Sequence, residues 1–123
     1  MIQERRAAQR YAITYQVLLR WTMNDGTVME QTGMTENVGP HGCLVYIPRN
    51  IPPIDVRISV EVFSGTPDVV VSGGDIVRIE RNAAHPQVAL NIVEGAPAWE
   101  QGVWKRAAVE SETLNVESDE DLE

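Results

Sequence analysis

From Tyr15 onward the apolar residues recur at every second position, in short runs broken by turn-forming residues. No other feature limits the possible folds as strongly. Tyr15, Val17, Leu19, Trp21 and Met23 would share one face of a strand, with Gln16, Arg20 and Thr22 on the other. Asn24-Asp25-Gly26 predicts a hairpin turn, because these residue types tolerate positive φ. A second strand is expected over 27–35, then a loop over 37–42, then a third strand over 43–47 that Pro48 stops. Pro52-Pro53 excludes regular structure between strands. Val56, Ile58, Val60 and Val62 alternate with Arg57, Ser59 and Glu61 in a half-buried fourth strand. Ser64-Gly65-Thr66-Pro67-Asp68 is turn chemistry. A fifth strand runs over 69–80, with a bulge or sharp bend at Gly73-Gly74. After a loop over 81–86, Val88, Leu90 and Ile92 alternate in a sixth.

Six strands joined by short turns, with no crossover helix, predict an all-β fold: a six-stranded antiparallel β-barrel, closed or nearly so. Glycine-marked bends are what closing a small sheet requires. Past Gly95 and Pro97 a short C-terminal helix is expected over 98–109. Trp99, Val103 and Ala107 form its apolar stripe, and Gly102 weakens it. A chain of 123 residues carries one core of modest size. Three parts are expected: a mobile arginine arm over 1–12, the barrel with its helix over 13–109, and a disordered acidic tail over 110–123.

Charge divides along the same lines. The formal net charge is -8, but residues 110–123 hold seven acids and no base. The preceding residues hold eleven acids against ten bases, which leaves the folded part near neutral. Nine of the ten bases are arginines, and Arg5, Arg6 and Arg10 cluster at the start. That bias favours planar, bidentate recognition of phosphate or guanine over diffuse attraction by lysine. Cys43 is the only cysteine, so an intrachain disulfide is excluded. Runs such as Val17-Leu18-Leu19 are far too short to span a bilayer, and no apolar stretch follows the charged start as in a secretory signal. A soluble cytoplasmic protein without membrane insertion is expected.

Arg5-Arg6-Ala7-Ala8-Gln9-Arg10, followed by Asn37-Val38-Gly39-Pro40-His41-Gly42 before an apolar strand, resembles the signature of the PilZ domain. The resemblance covers about residues 5–108 and implies a six-stranded barrel with a C-terminal helix. It also implies a bacterial receptor for cyclic dimeric GMP, with no catalytic residue, metal or cofactor. By resemblance Arg6 and Arg10 are the paired arginines, Arg5 assists, and Asn37, Gly39 and Gly42 belong to the ligand loop. The family motif reads Asp/Asn-x-Ser-x-x-Gly, so Gly39 stands where a serine hydroxyl is expected. One lost hydrogen bond costs roughly 0.5–1.5 kcal/mol, up to about tenfold in affinity.

The residues themselves leave several roles open. Asn37 can read a base edge or make a turn. Gly42 lets backbone approach a ligand or supplies positive φ. His41 faces a phosphate or merely sits on a surface loop, and Cys43 is a small core residue with no adjacent base. His41 and His85 are the only histidines and lack metal-ligand spacing; no phosphate-binding loop or nucleophile elbow occurs, so an enzyme is not expected. The first reading is a receptor whose arm closes over the dinucleotide against 37–42 and which acts in trans on a downstream protein. The second is a degenerate module of the same family that binds only protein. An oligonucleotide-binding barrel needs a basic groove with exposed aromatics, whereas Tyr15 and Trp21 are assigned to a buried face, so DNA and RNA are not expected partners.

Overall fold

The computed structural model describes residues 9–64 and 69–111. The first eight residues, with Arg5 and Arg6, residues 65–68, and residues 112–123 of the expected 110–123 tail lie outside them. Six strands follow in chain order: β1 (Gln16–Thr22), β2 (Val28–Gly39), β3 (Gly42–Tyr46), β4 (Ile58–Phe63), β5 (Val70–Glu80) and β6 (Gln87–Glu94). They close in the order β1-β2-β3-β6-β5-β4, every neighbouring pair antiparallel. This is the expected barrel. Closure pairs every edge, so the sheet offers no open strand to another chain.

The core is the inward half of each alternation. Val17, Leu19, Val45, Val60, Val62 and Val88 are fully buried, and Tyr15 and Trp21 are buried with them as expected. Each such side chain contributes roughly 1.5–3 kcal/mol by leaving water. Met23 departs from its expected face and is 40% exposed. The β1–β2 ladder ends at Thr22 and Val28, and Met23 already belongs to the turn, its N–H donating to Thr27. Positive φ in that turn falls on Gly26 alone, at 89°, and the Asp25 carboxylate accepts from the Thr27 N–H.

The main correction concerns β2. It does not end at Thr35 but continues to Gly39, so 37–42 is not a loop: only Pro40 and His41 separate β2 from β3. A register shift between Thr35 and Asn37 explains the difference. Glu36 is the extra residue, and a bulge reverses the parity of the strand. Gly33 and Thr35 point inward before it, Val38 after it. The expected irregularity at Gly73-Gly74 is present as a register shift in the β5–β6 ladder; a further shift falls between Ile76 and Arg78.

The chain leaves β6 through Gly95, at φ 70°, into helix α1. This helix starts as Ala96–Trp99, passes through one π-helical turn at Glu100–Trp104 and is α-helical again over 105–111. Trp99, Val103 and Ala107 are fully buried, so the expected stripe is the packed face. Gly102 has a packing reason: a Cβ there would lie 2.6 Å from Val70 Cγ2. Among the described residues no helix is long and apolar enough to cross a membrane.

Candidate functional site

The segment before β1 is sewn onto the far half of β2. Tyr11 and Val38 exchange both backbone hydrogen bonds, at 2.8 and 2.9 Å. Further along, Thr35 N–H donates to the Tyr15 carbonyl, while Thr35 Oγ1 accepts from Tyr15 N–H and donates to the Ile13 carbonyl. Thr35 is buried, and these bonds satisfy it fully. Helix α1 holds the same segment from the other side. Trp104 Nε1 donates to the Gln9 carbonyl at 3.0 Å, and its ring lies 6.3 Å from that of Tyr11. The Tyr15 hydroxyl donates to Glu110, and burial together with that carboxylate pushes the phenol well above its usual range.

These contacts deliver Arg10 to β2. Its Nε donates to Asn37 Oδ1 at 2.7 Å. Its guanidinium lies across Gly39: a Cβ built on that glycine would stand 2.6 Å from Nη1 and 3.2 Å from Cζ. Gly39 therefore does more than lack a hydroxyl, since the space of its missing side chain holds the arginine. The Gly39 carbonyl points the other way and accepts from Trp99 Nε1 at 3.0 Å. Among the described residues Arg10 forms no ion pair.

Arg10 and Asn37 stand at one end of a cleft of about 700 Å³ that crosses the outer face of β2, β3, β6 and β5. Leu44 and Ala89 form its floor, and Arg78 and Asn91 line it farther on. His41 lines it too, exposed in the two-residue turn, its carbonyl accepting from Ile92. Beyond one side, His85 stacks on Tyr46 with centroids 4.5 Å apart and pairs with Glu36, the bulged residue, at 2.8 Å.

Of the six residues expected at the site, the fold brings together Arg10, Asn37, Gly39 and Gly42, while Arg5 and Arg6 lie outside the described residues. The reading of Gly42 changes. Its φ is not positive, and a Cβ would stand 2.1 Å from the Leu90 carbonyl oxygen. Close approach of β3 to β6 is what requires glycine there. Cys43 points inward, and burial pushes its thiol up to about 12 against a smaller opposing effect of Arg10. It stays protonated at neutral pH and is no nucleophile. Among the described residues no group of three or more metal-ligating side chains converges. Leu44, Arg78, Ala89 and Asn91 were not expected at the cleft. Only the cross-strand register places them there, and the shifts in β5 hide that register from the sequence.

No family model and no curated protein matches the chain by sequence. Among solved structures it is similar to the PilZ domain with c-di-GMP of YcgR from Escherichia coli. The two share 13% identity with a TM-score of 0.64, over 94% of this chain and 98% of that one. The agreement extends over the barrel and its helix, so this chain has the fold of a PilZ domain.

Proposed function

We propose that the protein is a non-catalytic receptor for cyclic dimeric GMP in a bacterial cytoplasm, acting in trans on a downstream protein. The observation that carries this reading is the Arg10 fork, held by Asn37 over Gly39 at the mouth of the cleft. A neutral carboxamide orients the guanidinium without neutralising it, so its Nη groups remain suited to guanine O6/N7 or to phosphate. The likeness to a domain described with c-di-GMP supports the same ligand. Arg6 and Arg5, four and five residues upstream, would close over the ligand from the arm and leave a new surface for the partner.

Isothermal titration of the full chain with cyclic dimeric GMP tests the proposal. Micromolar binding that disappears in Arg10→Ala is expected. Absence of heat at tens of micromolar protein overturns it. A second reading, an adaptor of the same fold that no longer binds dinucleotide, is favoured by Gly39 alone; it predicts that absence of heat.

A further inference from the structure

The cleft has a second basic end. In the barrel register Asn37 on β2 pairs with Leu44 on β3, Leu44 with Ala89 on β6, and Ala89 with Arg78 on β5. Directly paired residues of antiparallel strands project to the same side, so these four form one outward row. All four line the cleft. Three inter-strand steps separate Asn37 from Arg78, roughly 14 Å along the sheet. Between them Leu44 and Ala89 are half-buried and apolar, and the small Ala89 side chain keeps the floor low.

Arg78 is available for a ligand. Its side chain is 61% exposed, and its ion pair is with the half-exposed Glu80 at 3.1 Å. A water-exposed pair of this kind is weak and yields to a better-matched anion. Its guanidinium offers the same planar fork as Arg10, toward the same cleft.

We propose that Arg78 is a second anchor of this cleft, which makes the site selective for ligands with two purine or phosphate ends over mononucleotides. The inference rests on the reading of the protein as a dinucleotide receptor, and it adds a residue and a selectivity that the arginine arm and the Asn37 segment do not supply. One end of the ligand engages the Arg10 fork beside Asn37. The body lies on Leu44 and Ala89, and the other end reaches Arg78. A mononucleotide spans only one end and gains nothing from the second fork.

The test uses the full chain and three proteins: wild type, Arg78→Ala and Arg81→Ala. Arg81 is exposed and does not line the cleft, so it controls for loss of charge nearby. Titration with cyclic dimeric GMP is expected to show affinity about tenfold lower in Arg78→Ala, as for loss of one charge-assisted hydrogen-bonded contact. Arg81→Ala should bind within about twofold of wild type. With guanosine monophosphate as the probe, wild type and Arg78→Ala should be indistinguishable. Equal dinucleotide affinity in wild type and Arg78→Ala overturns the inference, as do an equal loss in Arg81→Ala or a parallel loss of mononucleotide binding. Failure of the underlying reading looks different: the wild type itself would not bind the dinucleotide.

Discussion

The two flanks of the barrel carry concavities of nearly equal size, about 700 Å³ over β2, β3, β6 and β5 and about 710 Å³ over β1, β4 and β5. Both are lined by two arginines, yet their chemistry differs. On the second flank Arg20 lies between Glu30 and Glu61, and Arg57 between Asp75 and Glu94, at 2.6 to 2.8 Å. Hydrogen bonds that it donates to Glu30 and then to Glu61 hold the Arg20 guanidinium above its ordinary range, and one donated to Asp75 does the same for Arg57. Each of these cations already faces two carboxylates. On the first flank Arg10 has a carboxamide for a partner and Arg78 one exposed acid. By charge the first flank is the better suited of the two to an anion, since Arg10 faces no carboxylate among the described residues and Arg78 faces one, where Arg20 and Arg57 face two each.

The largest expected effect separates the flanks directly. Arg10→Ala should lower affinity for cyclic dimeric GMP by about a hundredfold or more, the value of a bidentate charged contact. Arg20→Ala should leave it within about twofold, since screening removes most of the influence of an exposed charge on the opposite side. Comparable losses in the two variants, by titration at physiological salt, would show that net charge matters more than placement. The next effect falls on stability. Gly42→Ala brings a Cβ against the backbone oxygen of Leu90, which cannot swing aside as a side chain can. It should cost about 1–3 kcal/mol, the usual range for overpacking. Chemical denaturation reads this, and an unchanged midpoint would mean that β3 and β6 can part without penalty.

How far the sequence revealed these features depends on what carries the information. Strand positions and the Trp99, Val103 and Ala107 stripe were legible, because burial on one face writes a period into the chain. The end of β2 was not: the bulge at Glu36 switches the inward set from odd to even positions, so a regular alternation stops at Thr35 while the strand goes on. Gly39 was legible only as a missing serine, because a motif records which side chain is absent and not which neighbour fills the space. Arg78 was invisible for a different reason. Its row depends on pairing across four strands, and the shifts in β5 at Gly73 and at Ile76 decide which residues reach that row.

Asn37→Ala addresses how the first flank orients its arginine. It removes the acceptor for Arg10 Nε while leaving the charge in place. Affinity should fall about tenfold, in the range of one hydrogen bond to a charged group. The salt dependence of binding should match that of wild type, since the same cation meets the ligand. A flatter salt dependence would show that Arg10 no longer reaches the ligand, and that Asn37 places the arginine rather than refining its aim.

The smallest effect concerns Gly39, and it needs a pair of variants. A Cβ at this position meets the far end of the Arg10 side chain, so the guanidinium moves aside at little cost and the fold is undisturbed. Gly39→Ala should weaken binding about threefold through the displaced tip of the Arg10 side chain, with the Asn37 bond to Nε kept, within the range of one neutral hydrogen bond. Gly39→Ser imposes the same displacement but adds a hydroxyl on the cleft side. If a hydroxyl can reach a ligand phosphate, the serine variant binds more tightly than the alanine variant by about the same factor and returns toward wild type. If the two bind alike, the hydroxyl has no ligand within reach. The space above Gly39 would then serve to seat Arg10, and the glycine would be a feature of this site rather than a loss from it.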